Sequence, residues 1–413
     1  VQALRRTQSV AEQRAITLAL GRLGTASVPS LVASLQDSST PRDAVVHAFK
    51  MIGVAGVASL NDALGHTNPR VRAAAACALG ELGTPAKSAE GNLVKLLNDA
   101  DPNVRRSALF ALAALGIENR SLLPALADAL RDQSVEVRKQ ALDTLLKLGT
   151  VSDELLPQLI AGLSDPDVGI RLGSARVFTR LGKKSTAATA LLIKAVSDPD
   201  SAVRLAAVEA LSVTGAADNA VLAAFSRALT DADPNVRSAS AAGLGRLGPV
   251  ARNVNQQLRS ATKDEMPVVR AAALTALSRV DPQSATLVED LERTLEDDDW
   301  TVRRAAGEGL AKLGQRARRA IPALIARLPN EMDRGWAFDA IGRIGAAGPD
   351  SVTDLVRLLQ HESRFVRFAA AVQLGKIGPP ARSALPQLES LLDVDNPRLR
   401  DAAKSAIKSI KGD

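Results

Sequence analysis

The stretch Asp99-Ala100-Asp101-Pro102-Asn103-Val104-Arg105-Arg106-Ser107-Ala108-Leu109-Phe110-Ala111-Leu112-Ala113-Ala114-Leu115-Gly116 decides the fold, because it returns in altered form along the whole chain. Thirteen copies can be aligned, and twelve of them hold an arginine at one point: Arg42, Arg72, Arg105, Arg138, Arg171, Arg204, Arg237, Arg270, Arg303, Arg334, Arg367 and Arg400. Gln13 fills that slot in the first copy. From Arg72 to Arg303 the step is an unbroken 33 residues; elsewhere it is 29, 30, 31 or 33. A fixed period of this size marks stacked supersecondary units, none of which can bury its apolar face alone.

Each copy reads as a helix. Four residues before the arginine slot stands Ser, Asn or Asp in twelve of thirteen copies, from Ser9 and Ser38 to Asn330, Ser363 and Asn396, with Met266 the exception. Such side chains accept from the orphan amides of a first helical turn. Proline follows the cap at Pro69, Pro102, Pro234 and Pro397, where its missing N–H costs nothing. Apolar residues then recur at helical spacing, as in Val104, Ala108, Ala111, Leu112 and Leu115. Eleven residues past the arginine a glycine ends the helix, from Gly53 and Gly83 through Gly378, as a left-handed terminal residue would. A second, shorter helix completes each unit, as in Leu122–Leu130, Leu155–Leu163 and Leu222–Leu229, often opened by proline (Pro29, Pro124, Pro157, Pro322, Pro386). The expectation is an all-α, right-handed α-solenoid of about twelve stacked helical hairpins, with a contour on the order of 110 Å if layers lie 8–10 Å apart.

Composition agrees with that architecture. Of the 413 residues 46% are hydrophobic, yet only 2% are aromatic and tyrosine is absent, so the core is built from Ala, Leu, Val and Ile. The single cysteine, Cys77, excludes an internal disulfide framework and suits a reducing, cytoplasm-like compartment. No run of about 18 apolar residues suggests a membrane span, and no secretory signal opens the chain. No linker composition interrupts the period, so residues 1–413 read as one solenoid. Residues 1–24 form an incomplete first repeat, and residues 301–413 form basic C-terminal repeats closed by a cap helix. That last helix, from Arg398, carries a polar outer face of Lys404, Ser405, Lys408, Ser409 and Lys411. At the other end the apolar face of Ile16, Leu20 and Leu23 is expected to be partly uncovered, and the chain starts at Val1 without methionine, so further sequence is expected before it.

Residues separate the repeat classes that share this length. No Thr-Pro-Leu-His phrase points to ankyrin units, and tetratricopeptide units would need recurrent Trp, Tyr and Phe. The Asp-Pro-x-Val-Arg-x-x-Ala-x-x-Ala-Leu-Gly-x-Leu-Gly phrases, clearest at 68–83, 101–116 and 233–248, resemble the HEAT repeat family, in particular the bacterial HEAT-like subclass first described in phycobilisome linker-pigment lyases. The resemblance covers essentially the whole chain and speaks to fold more than to function. It implies that the arginine column pairs with an aspartate column within and between units. Seven consecutive aspartates lie six residues before the arginine slot: Asp99, Asp132, Asp165, Asp198, Asp231, Asp264 and Asp297. Such a ladder would fix the register of each unit on the next, a structural role.

No catalytic, metal-binding or cofactor-binding constellation emerges. The three histidines are His47, His66 and His361; the last two stand in the aspartate column, which explains them better than metal ligation does. His361-Glu362 is a lone pair in a loop, whereas a HEAT-like di-iron hydroxylase uses four such pairs within its helices. Gly80/Gly83 and Gly245/Gly248 recur at helix ends and are caps and close-packing positions rather than a nucleotide motif. A bilin-lyase role would need aromatic and polar groups converging on a tetrapyrrole, against the scarcity of aromatics before residue 300. The chain reads as a non-enzymatic scaffold or adaptor.

Charge and aromatics are unevenly placed. Residues 1–300 hold 33 Lys/Arg and 33 Asp/Glu, whereas residues 301–413 hold 19 and 12 and so supply the whole net charge of +7. Nine residues after the arginine slot, five consecutive units carry Arg246, Arg279, Lys312, Arg343 and Lys376, and Arg316, Arg318 and Arg319 add a cluster in a turn. The stripe has two readings: cations complementing helix dipoles at C-terminal turns, or a docking surface for an acidic protein partner. Five of nine aromatics lie at Trp300, Trp336, Phe338, Phe365 and Phe368. Phe338 is expected in the core, in a column that holds Leu109, Leu142 and Leu274, while Phe368 and Trp300 are expected to be exposed. Exposed aromatics beside arginines have interface hot-spot composition, which makes Trp300, Trp336 and Phe368 candidate contacts. Nucleic acid is the alternative partner, with a modest charge excess and no aromatic ladder in its favour.

Overall fold

The computed structural model describes residues 2–3, 9–37, 39–116, 119–148, 152–345 and 348–412, and among these there is no strand. The chain divides into two compact units, Val1–Thr214 and Gly215–Asp413. In the first lie the helices α1 (Val10–Arg22), α2 (Arg42–Ile52), α3 (Pro69–Leu82), α4 (Pro102–Ala114), α5 (Val135–Leu148), α6 (Val168–Leu181) and α7 (Ser201–Thr214). In the second lie α8 (Pro234–Leu247), α9 (Pro267–Val280), α10 (Trp300–Leu313), α11 (Arg334–Ile344), α12 (Arg364–Ile377) and α13 (Pro397–Lys411). These are the repeated helices. The shorter partner of most opens with a 3-10 turn, for example Gly248–Val254 leading into Asn255–Ala261, whereas none precedes Asn119–Ala129, Asn219–Ala228 or Leu287–Thr294 among the described residues. Within each unit the result is an all-α solenoid of stacked hairpins.

The caps follow the sequence with three departures. Asn68, Asp101, Asp233 and Asp299 accept from the amides of Arg70, Asn103, Asn235 and Thr301 at 2.7–2.9 Å. Ser38 lies outside the described residues, and α2 starts after Pro41, which offers no side-chain acceptor. Ser363 does not cap α12, because its hydroxyl accepts from Arg334 Nη1 at 3.1 Å. Asn330 accepts from the amides of Met332 and Asp333 in a preceding turn, so α11 begins only at Arg334. Among the expected opening prolines, Pro124 sits instead inside the helix Asn119–Ala129, which starts early enough to place it in the second turn.

The terminal glycines have positive φ, but not the left-handed helical conformation expected of them. Gly53 (φ 72°, ψ −151°) and Gly83 (φ 69°, ψ −144°) adopt a region closed to side chains, and only Gly412 (φ 83°, ψ 27°) is left-handed helical. The reason is geometric: the chain turns straight into the 3-10 segment of the next hairpin. Other glycines let neighbouring helices approach. A Cβ on Gly80 would lie 2.6 Å from Phe110 Cε1 and 2.9 Å from Ala111 Cα; on Gly245, 3.0 Å from Ala276 Cα; on Gly375, 2.9 Å from Ala406 Cα. At these three places successive repeated helices meet glycine to alanine, eight residues past one arginine slot and six past the next.

The ladder is present and crosses from hairpin to hairpin within each of the two units. Arg72, Arg105 and Arg171 each grip the aspartate 27 residues on, donating Nε and Nη2 to Asp99, Asp132 and Asp198 at 2.7–3.0 Å. Arg138–Asp165, Arg237–Asp264 and Arg270–Asp297 repeat the pairing. The remaining guanidinium nitrogen turns back to its own loop, as Arg105 Nη1 does to the Asp99 carbonyl at 2.8 Å. Each carboxylate also accepts the amide two residues on, such as Asp101 N–H to Asp99 at 2.9 Å. Partial burial pushes the Asp99 carboxyl up, but Arg72, the Asp101 amide and Arg105 outweigh it and hold it below the usual carboxylate range. Asp132, Asp198 and Asp264 are lowered by the same balance.

Where histidine replaces aspartate the rung is lost and the cap survives. His66 Nδ1 and His361 Nδ1 accept the amides of Asn68 and Ser363 at 3.0 Å, the bond an aspartate would make. The arginines before them find other acceptors: Arg42 Nη2 reaches Ala73 O and Ser107 Oγ, and Arg334 reaches Ser363 Oγ. One rung departs from the column altogether. Arg303 donates Nε and Nη2 to Asp333, 30 residues on, at 2.8 and 3.0 Å, and that carboxylate is fully buried.

At the ends, Leu399, Ala403, Ala406 and Ile410 of α13 are buried, while Lys404, Ser405, Lys408, Ser409 and Lys411 are exposed. Leu20 of α1 is buried, and Leu23 is 64% exposed. Arg42–Ala63 has the length and mean hydropathy (1.4) of a membrane span. It is broken at Gly53 into two helices, however, and Val45, Phe49 and Leu60 along it are buried in the stack.

Candidate functional site

Arg246, Arg279, Lys312, Arg343 and Lys376 occupy the last turns of α8 to α12, and all five are exposed. They edge the grooves between consecutive repeated helices. Arg246 and Arg279 share the α8–α9 groove, Lys312 and Arg343 the α10–α11 groove, and Lys376 lies with Phe368 in the α12–α13 groove. The stripe is continuous at its centre. Desolvation in its groove, followed by the charges of Arg279 and Arg343, pushes the Lys312 ammonium below the ordinary lysine value, with Glu308 opposing. Within the groove wall Arg343 lies 3.6 Å from Asp339, and Arg304 lies 2.8 Å from Glu308.

The turn cluster is engaged with the preceding hairpin. Arg316, Arg318 and Arg319 are exposed in the 3-10 turn Gly314–Ala320. Arg316 donates to the carbonyls of Pro282 and Ser284 in the preceding turn, and Arg319 lies 3.7 Å from Glu292 on the preceding short helix. Arg316 and Arg319 thus bridge neighbouring hairpins, beside the helix ends that carry the stripe.

The aromatics divide as well. Trp300, at the start of α10, is 37% exposed, as expected. Phe338 and Phe368 depart from expectation, for both are half-buried. Their ring centroids lie 6.1 Å apart, and Phe365 packs edge-on to Phe338 at 5.6 Å. The three rings shelter one another between α11 and α12, which draws Phe338 out of the core and Phe368 in from solvent.

Trp336 stands two residues past its arginine, where other units carry Ala74, Ala206, Ala272 or Ala305. Its bulk is matched on the preceding helix. Gly307 replaces the Leu109, Leu142 or Leu274 of other units, and a Cβ there would lie 2.4 Å from Trp336 Cε3 and Cζ3. The half-buried indole therefore lies against α10, and its N–H has no acceptor. Together with Trp300 and Met332, which is 57% exposed, it lines an α10–α11 groove of about 400 Å³. Reading the sequence alone missed Met332 and the displaced rung at Asp333. The 31-residue step and the unusual stretch from Leu328 to Trp336 were the available signal. Among the described residues no group of three or more His, Cys, Asp or Glu could hold a metal ion.

Profiles described as HEAT repeats match residues 91–176, 156–245, 255–340 and 321–408, and one described as PBS lyase HEAT-like repeat matches residues 71–99. The chain belongs to the HEAT repeat family. No curated protein sequence matches it. Among solved structures, this HEAT chain is similar to the karyopherin Kap121p bound to the extreme C-terminus of the protein phosphatase Cdc14p, at 18% identity and TM-score 0.52 over 93% of this chain and 49% of that one. Kap121p bound to Pho4p matches at 17% identity and TM-score 0.53, over 92% and 49% of the two chains. Kap121p bound to Nup53p matches at 16% identity and TM-score 0.53, over 99% and 52%. The chain thus spans about half the length of these relatives, and at such identities the likeness is one of fold.

Proposed function

We propose that this HEAT chain is a non-catalytic scaffold that holds a protein partner on the exposed face of its repeated helices, with the basic, aromatic-bearing repeats of the second unit as the preferred site. The observation that carries the reading is the stripe at Arg279, Lys312 and Arg343. Cations at helix C-termini gain about 0.3–1 kcal/mol each from the helix dipole, which explains any one of them. It does not explain why Lys312 and Arg343 edge one groove that also holds Trp300, Met332 and Trp336. A row of cations, one per repeat, is complementary to an acidic ligand, and charge complementarity of this kind steers association. The Kap121p structures, solved with bound proteins, support a protein-binding role for this architecture.

The test is capture from native lysate by the intact chain beside a variant carrying Arg279→Glu, Lys312→Glu and Arg343→Glu, with circular dichroism to confirm equal helicity. A specific protein lost from the variant supports the docking role. Identical captures return the stripe to helix-end structure and refute it.

A further inference from the structure

The α10–α11 groove differs from the others on the same face. In the α8–α9 groove the floor is small, with Ala242, Ala271, Ala272 and Thr275 between Arg246 and Arg279. In the α10–α11 groove Trp300, Met332 and Trp336 line the end nearer the helix N-termini, and Lys312 and Arg343 line the end at the C-termini. Three large apolar side chains thus meet at one place on a chain with 2% aromatics, and two of them are substantially exposed. Local features build this arrangement. Asp333 leaves the ladder column to pair with Arg303, the preceding turn places Met332 at the groove, and Gly307 makes room for Trp336. The indole N–H is itself buried and has no acceptor, so Trp336 offers the groove only its apolar ring.

We propose that this groove is the anchoring pocket for a bulky apolar side chain carried on an extended acidic segment of a protein partner, which runs along the groove and sets its carboxylates on Lys312 and Arg343. This deepens the docking role above and rests on it. Charge and length favour such an occupant. Lys312 stands twelve residues along α10 from Trp300, about 18 Å at 1.5 Å per residue, a span that five or six residues of an extended chain rising about 3.3 Å each would cover. A nucleic-acid strand carries a phosphate at every nucleotide, and those crossing the middle of the groove would meet Glu308 and Asp339 on its walls. A segment with its apolar residues at one end and its acidic residues at the other can avoid those carboxylates.

The chain carries its own reporter, because both of its tryptophans line this groove and it has no tyrosine. Three fluorescein-labelled probes are titrated: an octaglutamate peptide, the same peptide with its first two residues changed to leucine, and an eight-nucleotide oligothymidylate. Anisotropy measures binding, and a parallel titration with unlabelled probes follows tryptophan emission. The expected result is that the leucine peptide binds at least tenfold more tightly than octaglutamate and shifts the emission. Trp300→Ala or Met332→Ser should remove that advantage with helicity unchanged, and Lys312→Glu should weaken both peptides. Trp336→Ala is the stronger but riskier variant, since Gly307 would lose its packing partner. Equal binding of the two peptides, or binding without a change in emission, overturns the anchor and leaves the stripe as a docking surface. Tighter binding of the oligonucleotide with a shift in emission also overturns it, in favour of a nucleic-acid strand. If no probe binds while capture from lysate still depends on the stripe, the anchor alone fails; if that capture also fails, both readings fall.

Discussion

Replacing Asp333 by asparagine tests the ladder where it is most deeply set. The carboxylate is fully buried and accepts two bonds from Arg303, whose side chain is 11% exposed. Asparagine keeps the volume but offers one oxygen, so one donated bond is lost and the guanidinium loses its counter-charge. Removing one partner of a buried pair costs about 3–5 kcal/mol. Arg303 retains its bonds to the carbonyls of Asp297 and Asp298 at 2.8 and 2.9 Å, which places the loss near the lower end, at about 3 kcal/mol. A control of similar length lies at the surface. Lys50–Glu81, at 2.8 Å with side chains 51% and 35% exposed, should lose no more than about 0.5 kcal/mol in Glu81→Gln. Urea denaturation gives the total, but repeat arrays need not unfold in one step, so native-state hydrogen exchange gives the location. Protection in α10 and α11 should fall about 100-fold, with α3 to α6 unchanged. The double variant Arg303→Met/Asp333→Leu should recover most of the loss, because apolar residues can replace a buried pair. A loss below about 1 kcal/mol, or one spread evenly over both units, would refute the reasoning.

The converse change, His361→Asp, returns a carboxylate to the ladder column opposite Arg334 while keeping an acceptor for the Ser363 amide. It should raise stability by about 1 kcal/mol, read as a higher urea midpoint with an unchanged slope; no gain would mean that Arg334 is already satisfied by Ser363. Acid should act on the rungs as a set. Because Asp99, Asp132, Asp198 and Asp264 are held below the ordinary carboxylate range, their stabilisation is fully present above about pH 4 and is lost as pH falls through the lowered values. A stability plateau from pH 7 to about pH 4.5, followed by a steep decline, is the expected profile, and a decline that begins near pH 6 would contradict it.

The repeat period, the caps, the terminal glycines and the Arg/Asp columns are legible in the sequence because each rests on residues close in the chain or on a fixed step. The helix needs its cap four residues before the arginine and its glycine eleven after it, and neither depends on a distant partner. Even the histidines at 66 and 361 were placed by column alone, and each makes the bond that its column requires. Family membership is carried by the same local phrase.

Other features were decided only when helices packed. Whether Phe338 and Phe368 were buried or exposed depended on the two meeting each other and Phe365, a contact between neighbouring units that no single column records. The run Arg246, Arg279, Lys312, Arg343 and Lys376 was visible as a column, whereas the hold of Arg316 and Arg319 on the preceding hairpin followed from where the turn points. The rung at Asp333 and the groove of Trp300, Met332 and Trp336 belong wholly to tertiary structure. The physical reason is reach. Capping and helix periodicity act within about a turn of the chain. A carboxylate 30 residues away can be drawn to an arginine only when the stack brings them together, and an indole finds its place only opposite a glycine on the next helix.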